Sequence, residues 1–248
     1  MSLKKVVFLG SKPIGYQCFA YLLAMQEKLG IEITGLITHS RKEFGDAQDL
    51  NELAIENNIP ILENEDAIPE CDIIYSVQHH RILTATQISK ATQAAVNLHM
   101  APLPEYRGSN QFSFAILDGK KEFGTTIHLI DPRIDHGDLL FQKRFPIPAG
   151  CWVYDLYQLT FNASIKLFTQ TLGHIIKGIY TPVSQESLIH KYGTSLHLRK
   201  EINELKVIDM DWDKKKIERH ILATSMPGFE PPYCIINGQK VYLTTVYP

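Results

Sequence analysis

The fold class predicted for this chain is α/β, Rossmann-like, with a mostly parallel sheet covered by helices on both faces. Three observations predict it. Short runs of aliphatic and β-branched residues recur along the first hundred positions. Segments with helical spacing separate them, and Gly or Pro marks the change from one to the next. The resulting β-α-β-α rhythm is that of a parallel sheet. With about 150 residues per domain as a guide, the 248 residues divide into a core over 1–180 and a small C-terminal region over 181–248 with a helix and a β-hairpin.

Each element has its own signal. Lys5 to Gly10 is a short apolar run, and Pro13 opens a helix carrying Ile14, Phe19, Leu22, Leu23 and Met25 that Gly30 stops. Ile31 to Thr38 reads as a strand, Asp46 as the N-cap of a helix running to Asn57, and Ile59 to Leu62 as another strand. Strands are expected at Asp72–Val77 and Ala94–Leu98, with a short helix over Thr84–Ala91 between them. Thr125–Asp131 and Leu139–Ile147 read as strands around a polar loop. A long amphipathic helix follows from Val153 to Ile176, its apolar stripe made by Leu156, Leu159, Phe161, Ile165, Phe168, Leu172 and Ile176, and Gly178 ends it. The rhythm then breaks. A helix over Trp212–Ala223 precedes the loop Ser225–Pro232, and Asn237-Gly238 between Tyr233–Ile236 and Val241–Val246 fits a type I′ hairpin. That hairpin has two edges to cover, so burial against the core or a partner subunit is expected, and with it a homodimer.

Charge narrows the function classes. Lys and Arg number 25 against 27 Asp and Glu, so no basic field points to nucleic acid as the primary partner. The N-terminal apolar run is too short for a secretory or membrane segment. Cys18, Cys71, Cys151 and Cys234 form no C-x-x-C pair, which signals neither a zinc knuckle nor a disulfide framework. A reduced, cytoplasmic, enzyme-sized protein with no membrane partner is expected.

In sheets of this class ligands gather at the carboxyl ends of the strands, which singles out three segments. Gly10-Ser11-Lys12-Pro13-Ile14-Gly15 follows a strand and opens a helix, the setting for an anion. It lacks the middle glycine of G-x-G-x-x-G and the G-K-[ST] of a P-loop, so a bare turn is an equal reading, and Lys12 is what favours a diphosphate. Asn97 and His99 share one side of a strand by period two. Prolines at 102 and 104 and Gly108 then stiffen the loop that follows. Taken alone, Asn-x-His is as well explained by a satisfied core histidine. Gly124 to Asp138 packs three aspartates and two histidines into one strand and loop. No metal is expected there, because neither H-E-x-x-H nor H-x-E with P-C-x-x-C is present; solvated loop carboxylates account for Asp131 and Asp138. His79-His80-Arg81 stands at another strand end and reads equally as solvated loop or ligand contact. Gly-x-Ser-x-Gly is absent.

Taken in order, Asn97-x-His99, Leu103-Pro104-x-Tyr106-Arg107-Gly108, Gly124-Thr125-Thr126-Ile127-His128 and Asp131-x-x-Ile134-Asp135-x-Gly137-Asp138 form a recognisable set. It resembles the formyltransferases that use 10-formyltetrahydrofolate, over roughly residues 1–180. The segments His99–Pro104 and Ser225–Pro232 look like the branch acting on nucleotide-linked amino sugars. The resemblance implies a catalytic set of Asn97, His99 and Asp135, with no metal. It implies folate contacts along Arg81, Ile82 and Leu83 and along Asp131 and Ile134, and acceptor contacts at Ser11 and Lys12. The chemistry agrees with those residue types. An amine attacking a formyl carbon needs a base near working pH, which histidine supplies, and a donor for the developing oxyanion, which an asparagine amide supplies. Asp135 is left two roles, orienting His99 or holding a water.

The C-terminal region bears on the acceptor. Methionyl-tRNA formyltransferases carry a longer basic C-terminal domain, whereas residues 181–248 hold 9 Lys and Arg against 8 Asp and Glu. Glycinamide ribonucleotide formyltransferases are shorter. A nucleoside-diphosphate-linked 4-amino-4,6-dideoxy sugar is therefore the expected acceptor, preferably on thymidine diphosphate, in the making of lipopolysaccharide O-antigen or a similar surface glycan. Phe229, Tyr233 and Trp212 are the aromatics on which its base could stack, though each is also an ordinary core residue. The alternatives are a formyltetrahydrofolate hydrolase and a methionyl-tRNA or glycinamide ribonucleotide type formyltransferase; the hydrolase is disfavoured because such enzymes add an N-terminal domain and this chain starts at its first strand. A folate-binding module without turnover is disfavoured by the complete Asn97, His99 and Asp135.

Overall fold

The computed structural model describes residues 3–39 and 49–243. Its central sheet has six strands in the order β2-β1-β3-β4-β6-β7: β1 Lys4–Gly10, β2 Ile31–Thr38, β3 Cys71–Val77, β4 Ala91–His99, β6 Glu122–Leu129 and β7 Leu139–Pro146. The first four are parallel to their neighbours, and β6 runs antiparallel to both β4 and β7. Between them lie α1 Lys12–Ala24, α2 Gln26–Leu29, α3 Leu50–Glu56, α4 Ala85–Ile88, the two-residue strand β5 Arg107–Gly108 and α5 Gln111–Leu117. After β7 come α6 Val153–Lys177, α7 Glu186–Tyr192, β8 Leu196–His197, α8 Ile202–Leu205, α9 Lys214–Thr224, and the hairpin β9 Tyr233–Ile236 and β10 Gln239–Tyr242.

Strand β1 shows why the sheet is covered twice. Val6, Val7, Phe8 and Leu9 are all fully buried, a continuous run that one covered face could not produce. Val6 and Phe8 join one apolar cluster, with Phe19 and Leu22 of α1 and Leu167, Phe168 and Leu172 of α6. Val7 and Leu9 join another, with Ile37, Ile68, Ile74 and Leu83. Burying each such side chain contributes about 1.5–3 kcal/mol before its entropy cost. A third cluster places Ala101, Tyr106 and Phe123 against Leu156 of α6 and Ala223 of α9, so the C-terminal region packs on the core.

Several expectations are sharpened or corrected. Residues 59–62 do not form a sheet strand: a single bridge joins Ile61 to Leu36, because Pro60 has no N–H for a ladder. Its carbonyl accepts from Leu36 N at 2.8 Å instead. Helix α1 is interrupted at Met25, and one further turn, α2, carries the chain to Gly30 at φ 63°. Leu159 of the expected α6 stripe faces solvent. The hairpin forms with its turn at Asn237 (φ 50°) and Gly238 (φ 78°), yet it is not buried against the core. Only Cys234 is covered, while Ile235, Ile236, Val241 and Tyr242 are exposed. One bridge from Tyr233 to Val207 ties it down, and the rest of β9 and β10 pair only with each other. The N-cap expected at Asp46 and the end of the hairpin strand at 244–246 lie outside the described residues. No described helix is long and apolar enough to cross a membrane.

Candidate active site

Strand order decides what meets what. The carboxyl ends of β1, β3 and β4 lie side by side, and β6 returns antiparallel along β4 with Asn97 opposite His128 and His99 opposite Thr126. Four polar side chains therefore share one face at a strand end. The loop leaving β4 is pinned from beneath: Thr125 Oγ1 donates to His99 O at 3.0 Å, Thr126 Oγ1 to Ala101 O at 2.8 Å, and Leu103 N donates to Thr126 Oγ1 at 3.1 Å.

The turn after β6 swings Asp135 over this face. It needs two unusual positions. Asp135 itself is left-handed, φ 45°, a conformation that Asp tolerates better than most residues. A Cβ on Gly137 would stand 1.9 Å from Leu129 O, so only glycine fits. Gln185, buried in the segment between α6 and α7, donates from Nε2 to Asp135 O at 2.9 Å and to Gly137 O at 2.8 Å. We expect Gly137→Ala to lower stability by about 3 kcal/mol and to lower turnover with it; a urea midpoint equal to wild type would show that the turn yields.

The contacts assign protons. His99 Nε2 lies 2.8 Å from Tyr106 O, and since a carbonyl oxygen only accepts, Nε2 carries hydrogen. His99 Nδ1 is left facing Asp135 Oδ2 at 3.5 Å. His128 Nδ1 likewise donates to Leu129 O at 2.7 Å, which leaves Nε2 to accept from Asn97 Nδ2 at 3.1 Å. Asn97 Nδ2 is also 3.4 Å from Asp135 Oδ1, and that oxygen is 3.5 Å from His128 Nε2. The three atoms form a near-equilateral triangle, so Asn97 Nδ2 lies within reach of both His128 and Asp135. Burial pushes the Asp135 carboxyl up, but with both neighbouring rings in their protonated form the charge of His99, the bond and charge of His128 and the Gly108 N–H at 2.9 Å outweigh it, holding the group well below the usual carboxylate range.

The cluster opens into a crevice of about 770 Å³, a size that suits small-molecule ligands. Of the residues singled out from sequence, it brings together Asn97, His99, Asp135, His79, His80, Arg81, Ile82, Leu83, Asp131, Ile134, Lys12 and Phe229. Arg81 pairs with Glu65 at 3.0 Å, and Asp131 with Arg133 and His136, each at 2.9 Å. Lys12 Nζ donates to Gln78 Oε1 at 2.9 Å. Ser11 does not reach the crevice; its buried hydroxyl donates to Gln78 O. Tyr233 and Trp212 do not reach it either. Strand alternation turns Tyr233 toward Tyr242 and Lys240 of its own hairpin, and Trp212 lies against Lys216 and His220.

Other lining residues had no sequence-based assignment. His128 is the nearest, and the two-residue period from Thr126 combined with the β4 pairing would have found it. Arg199 and Lys206 come from the C-terminal region, which is drawn in by the β5–β8 pairing, Ser109 N to His197 O at 2.8 Å, and Asn110 Nδ2 to Leu198 O at 2.9 Å. Lys206 is buried with no ion pair to a described carboxylate, and burial lowers its pKa.

A sheet that gathers Asn, His and Asp at its strand ends, beneath a crevice edged with cations, has the parts of a group-transfer enzyme. Residues 51–172 match the family described as Formyl transferase, and this chain carries that domain and is a formyl-transferring enzyme. It is 28% identical to the methionyl-tRNA formyltransferase of Clostridium novyi, over 98% of this chain and 80% of that one. It is 25% identical to the GDP-perosamine N-formyltransferase of Brucella melitensis, over 71% of this chain and 65% of that one. The solved structure of WlaRD, a sugar 3N-formyl transferase crystallised with dTDP and 5-N-formyl-THF, superposes with a TM-score of 0.78 at 24% identity, covering 97% of this chain and 85% of that one.

Proposed function

We propose that this chain transfers the formyl group of 10-formyltetrahydrofolate to the amine of a nucleoside-diphosphate-linked amino sugar, the preferred acceptor being a 4-amino-4,6-dideoxy sugar on thymidine diphosphate. The observation that carries this reading is the joined cluster of Asn97, His99, His128 and Asp135 at the head of a crevice edged by Lys12, Arg81, Arg133, Arg199 and Lys206. The cluster supplies base and oxyanion donor; the cations suit a diphosphate and a folate carboxylate.

In this reading the amine nitrogen attacks the formyl carbon, and the amide of Asn97 turns an N–H to the oxygen that becomes negative. His99 Nδ1 takes the proton that the ammonium must lose. The imidazolium so formed faces the Asp135 carboxylate, which keeps its charge because its pKa is depressed. The oxyanion then re-forms the formyl C=O as the C–N bond to the folate breaks, and the departing nitrogen takes the proton that His99 holds. Leu83 and Ile134 would line the pterin site, and Phe229 the base. The division into a catalytic core over 1–180 and an accessory region over 181–248 is adjusted in one respect: Gln185, Arg199 and Lys206 serve the same site. A cytoplasmic setting, a homodimer through the exposed hairpin and a role in surface-glycan synthesis complete the proposal.

The test is formyl transfer from 10-formyltetrahydrofolate to a panel of nucleotide-linked 3-amino and 4-amino sugars, following tetrahydrofolate release and product mass. Methionyl-tRNA belongs in the panel because of the relative sharing 28% identity, and glycinamide ribonucleotide is its control. Mass gain on a sugar supports the proposal. Gain on the tRNA alone replaces it, and release with no acceptor indicates a hydrolase. For Lys206→Ala we expect the KM for the nucleotide sugar to rise about 10-fold or more, the value of a charged hydrogen bond, with kcat little changed; an unchanged KM would remove Lys206 from the acceptor site.

A further inference from the structure

Six buried side-chain polar atoms among the described residues lack a hydrogen bond, and three of them fall together at the ends of β2 and β3, where His79 and His80 line the crevice: His39 Nδ1, His79 Nε2 and Glu65 Oε1. His39 follows β2, and His79 and His80 follow β3. The three rings cluster with centroids 4.4, 5.5 and 5.8 Å apart, and each offers a ring nitrogen within 4.8 Å of the others. The His79 side chain is only 2% exposed and that of Glu65 7%. His79 Nε2 stands at ion-pair distance, 3.0 Å, from Glu65 Oε1 yet off the line of a hydrogen bond, so neither buried atom makes one. Native proteins rarely leave such atoms unsatisfied, and an ion is one of the few things that satisfies several at once.

We propose that His39, His79 and His80 form a binding site for a first-row divalent cation of the zinc class. Imidazole nitrogens select that class over magnesium and calcium, which take oxygen. Zinc–nitrogen bonds of about 2.0–2.1 Å require the three donors to close in by small ring rotations. The same movement would bring His79 Nε2 into line with Glu65, the carboxylate behind a ligating histidine that such sites commonly use. Arg81 holds the other oxygen of Glu65 at 3.0 Å, so Glu65 is positioned as the outer partner, and the fourth coordination position is left to water. The ion would tie the end of β2 to the segment 78–83 that borders the crevice. It takes no part in formyl transfer, and the site does not depend on that proposal.

Untagged protein, stripped with EDTA, should bind one equivalent of Co(II) with visible d–d absorption that Zn(II) displaces. Zn(II) should also raise its melting temperature where Mg(II) does not. His39→Ala and His80→Ala should each weaken Zn(II) binding by about tenfold or more, while His190→Ala, an exposed histidine elsewhere, should leave it unchanged. His80 is exposed, so its variant tests the site even where His39→Ala perturbs folding. Absence of a saturable Co(II) band, or wild-type affinity in His80→Ala, would overturn the proposal.

Discussion

Replacing His99 with alanine is expected to lower kcat for formyl transfer by about 10²–10⁴-fold, the range for a lost general base, with a much smaller effect on folate binding. His99 is held rather than merely present. Its Nε2 is fixed on Tyr106 O at 2.8 Å and its own carbonyl accepts from Thr125. The ring is therefore held with Nε2 on that carbonyl, and Nδ1, 3.5 Å from Asp135, is the nitrogen that the proposed mechanism uses. Alanine removes that nitrogen and leaves the Tyr106 carbonyl to water. Steady-state kinetics with a separate folate-binding titration checks both halves; a variant within tenfold of wild-type kcat would mean that another group takes the proton.

Asp135→Asn should cost about 10²-fold or more in kcat and should also change how stability responds to acid. Asparagine keeps the size, tolerates the left-handed backbone at φ 45° and can still accept from Gly108 N. What it loses is the charge facing His99 and His128. The carboxyl of Asp135 is held below its unfolded value of about 3.9, so the unfolded chain binds that proton more readily than the folded one. The stabilisation is therefore complete above the unfolded value and is lost as pH falls through and below it. Urea midpoints measured from neutral pH down to about pH 3 should fall more steeply for wild type than for Asp135→Asn. Parallel curves would show that the charge is not coupled to folding.

Much of the layout was legible because it rests on local signals. The fully apolar run of β1, the glycine stops at Gly30 and Gly178, and the Asn237-Gly238 turn follow from backbone freedom and burial period. Helix α5 was not predicted: seven residues with Phe112, Phe114, Ala115 and Ile116 give no clear stripe, and its contacts with α9 and α6 stabilise it. The strand expected over 59–62 failed for a local reason that was readable, since Pro60 cannot donate. Ser11 and Tyr233 were expected at the crevice because a turn and an aromatic suit that chemistry. Which way each side chain points is settled by its neighbours, Gln78 for one and Tyr242 for the other.

By itself the sequence determined the α/β class and the placement of Asn97 and His99 on one strand face, because period two is a property of the chain alone. Tertiary structure decided that β6 lies antiparallel beside β4, and so that His128 joins Asn97 and Asp135. It also decided that Gln185, Arg199 and Lys206 reach the same crevice from beyond residue 180. Those are contacts between segments 30 to more than 100 residues apart. No local period encodes them, and they follow from how the apolar faces of the sheet and of the C-terminal helices find their common burial.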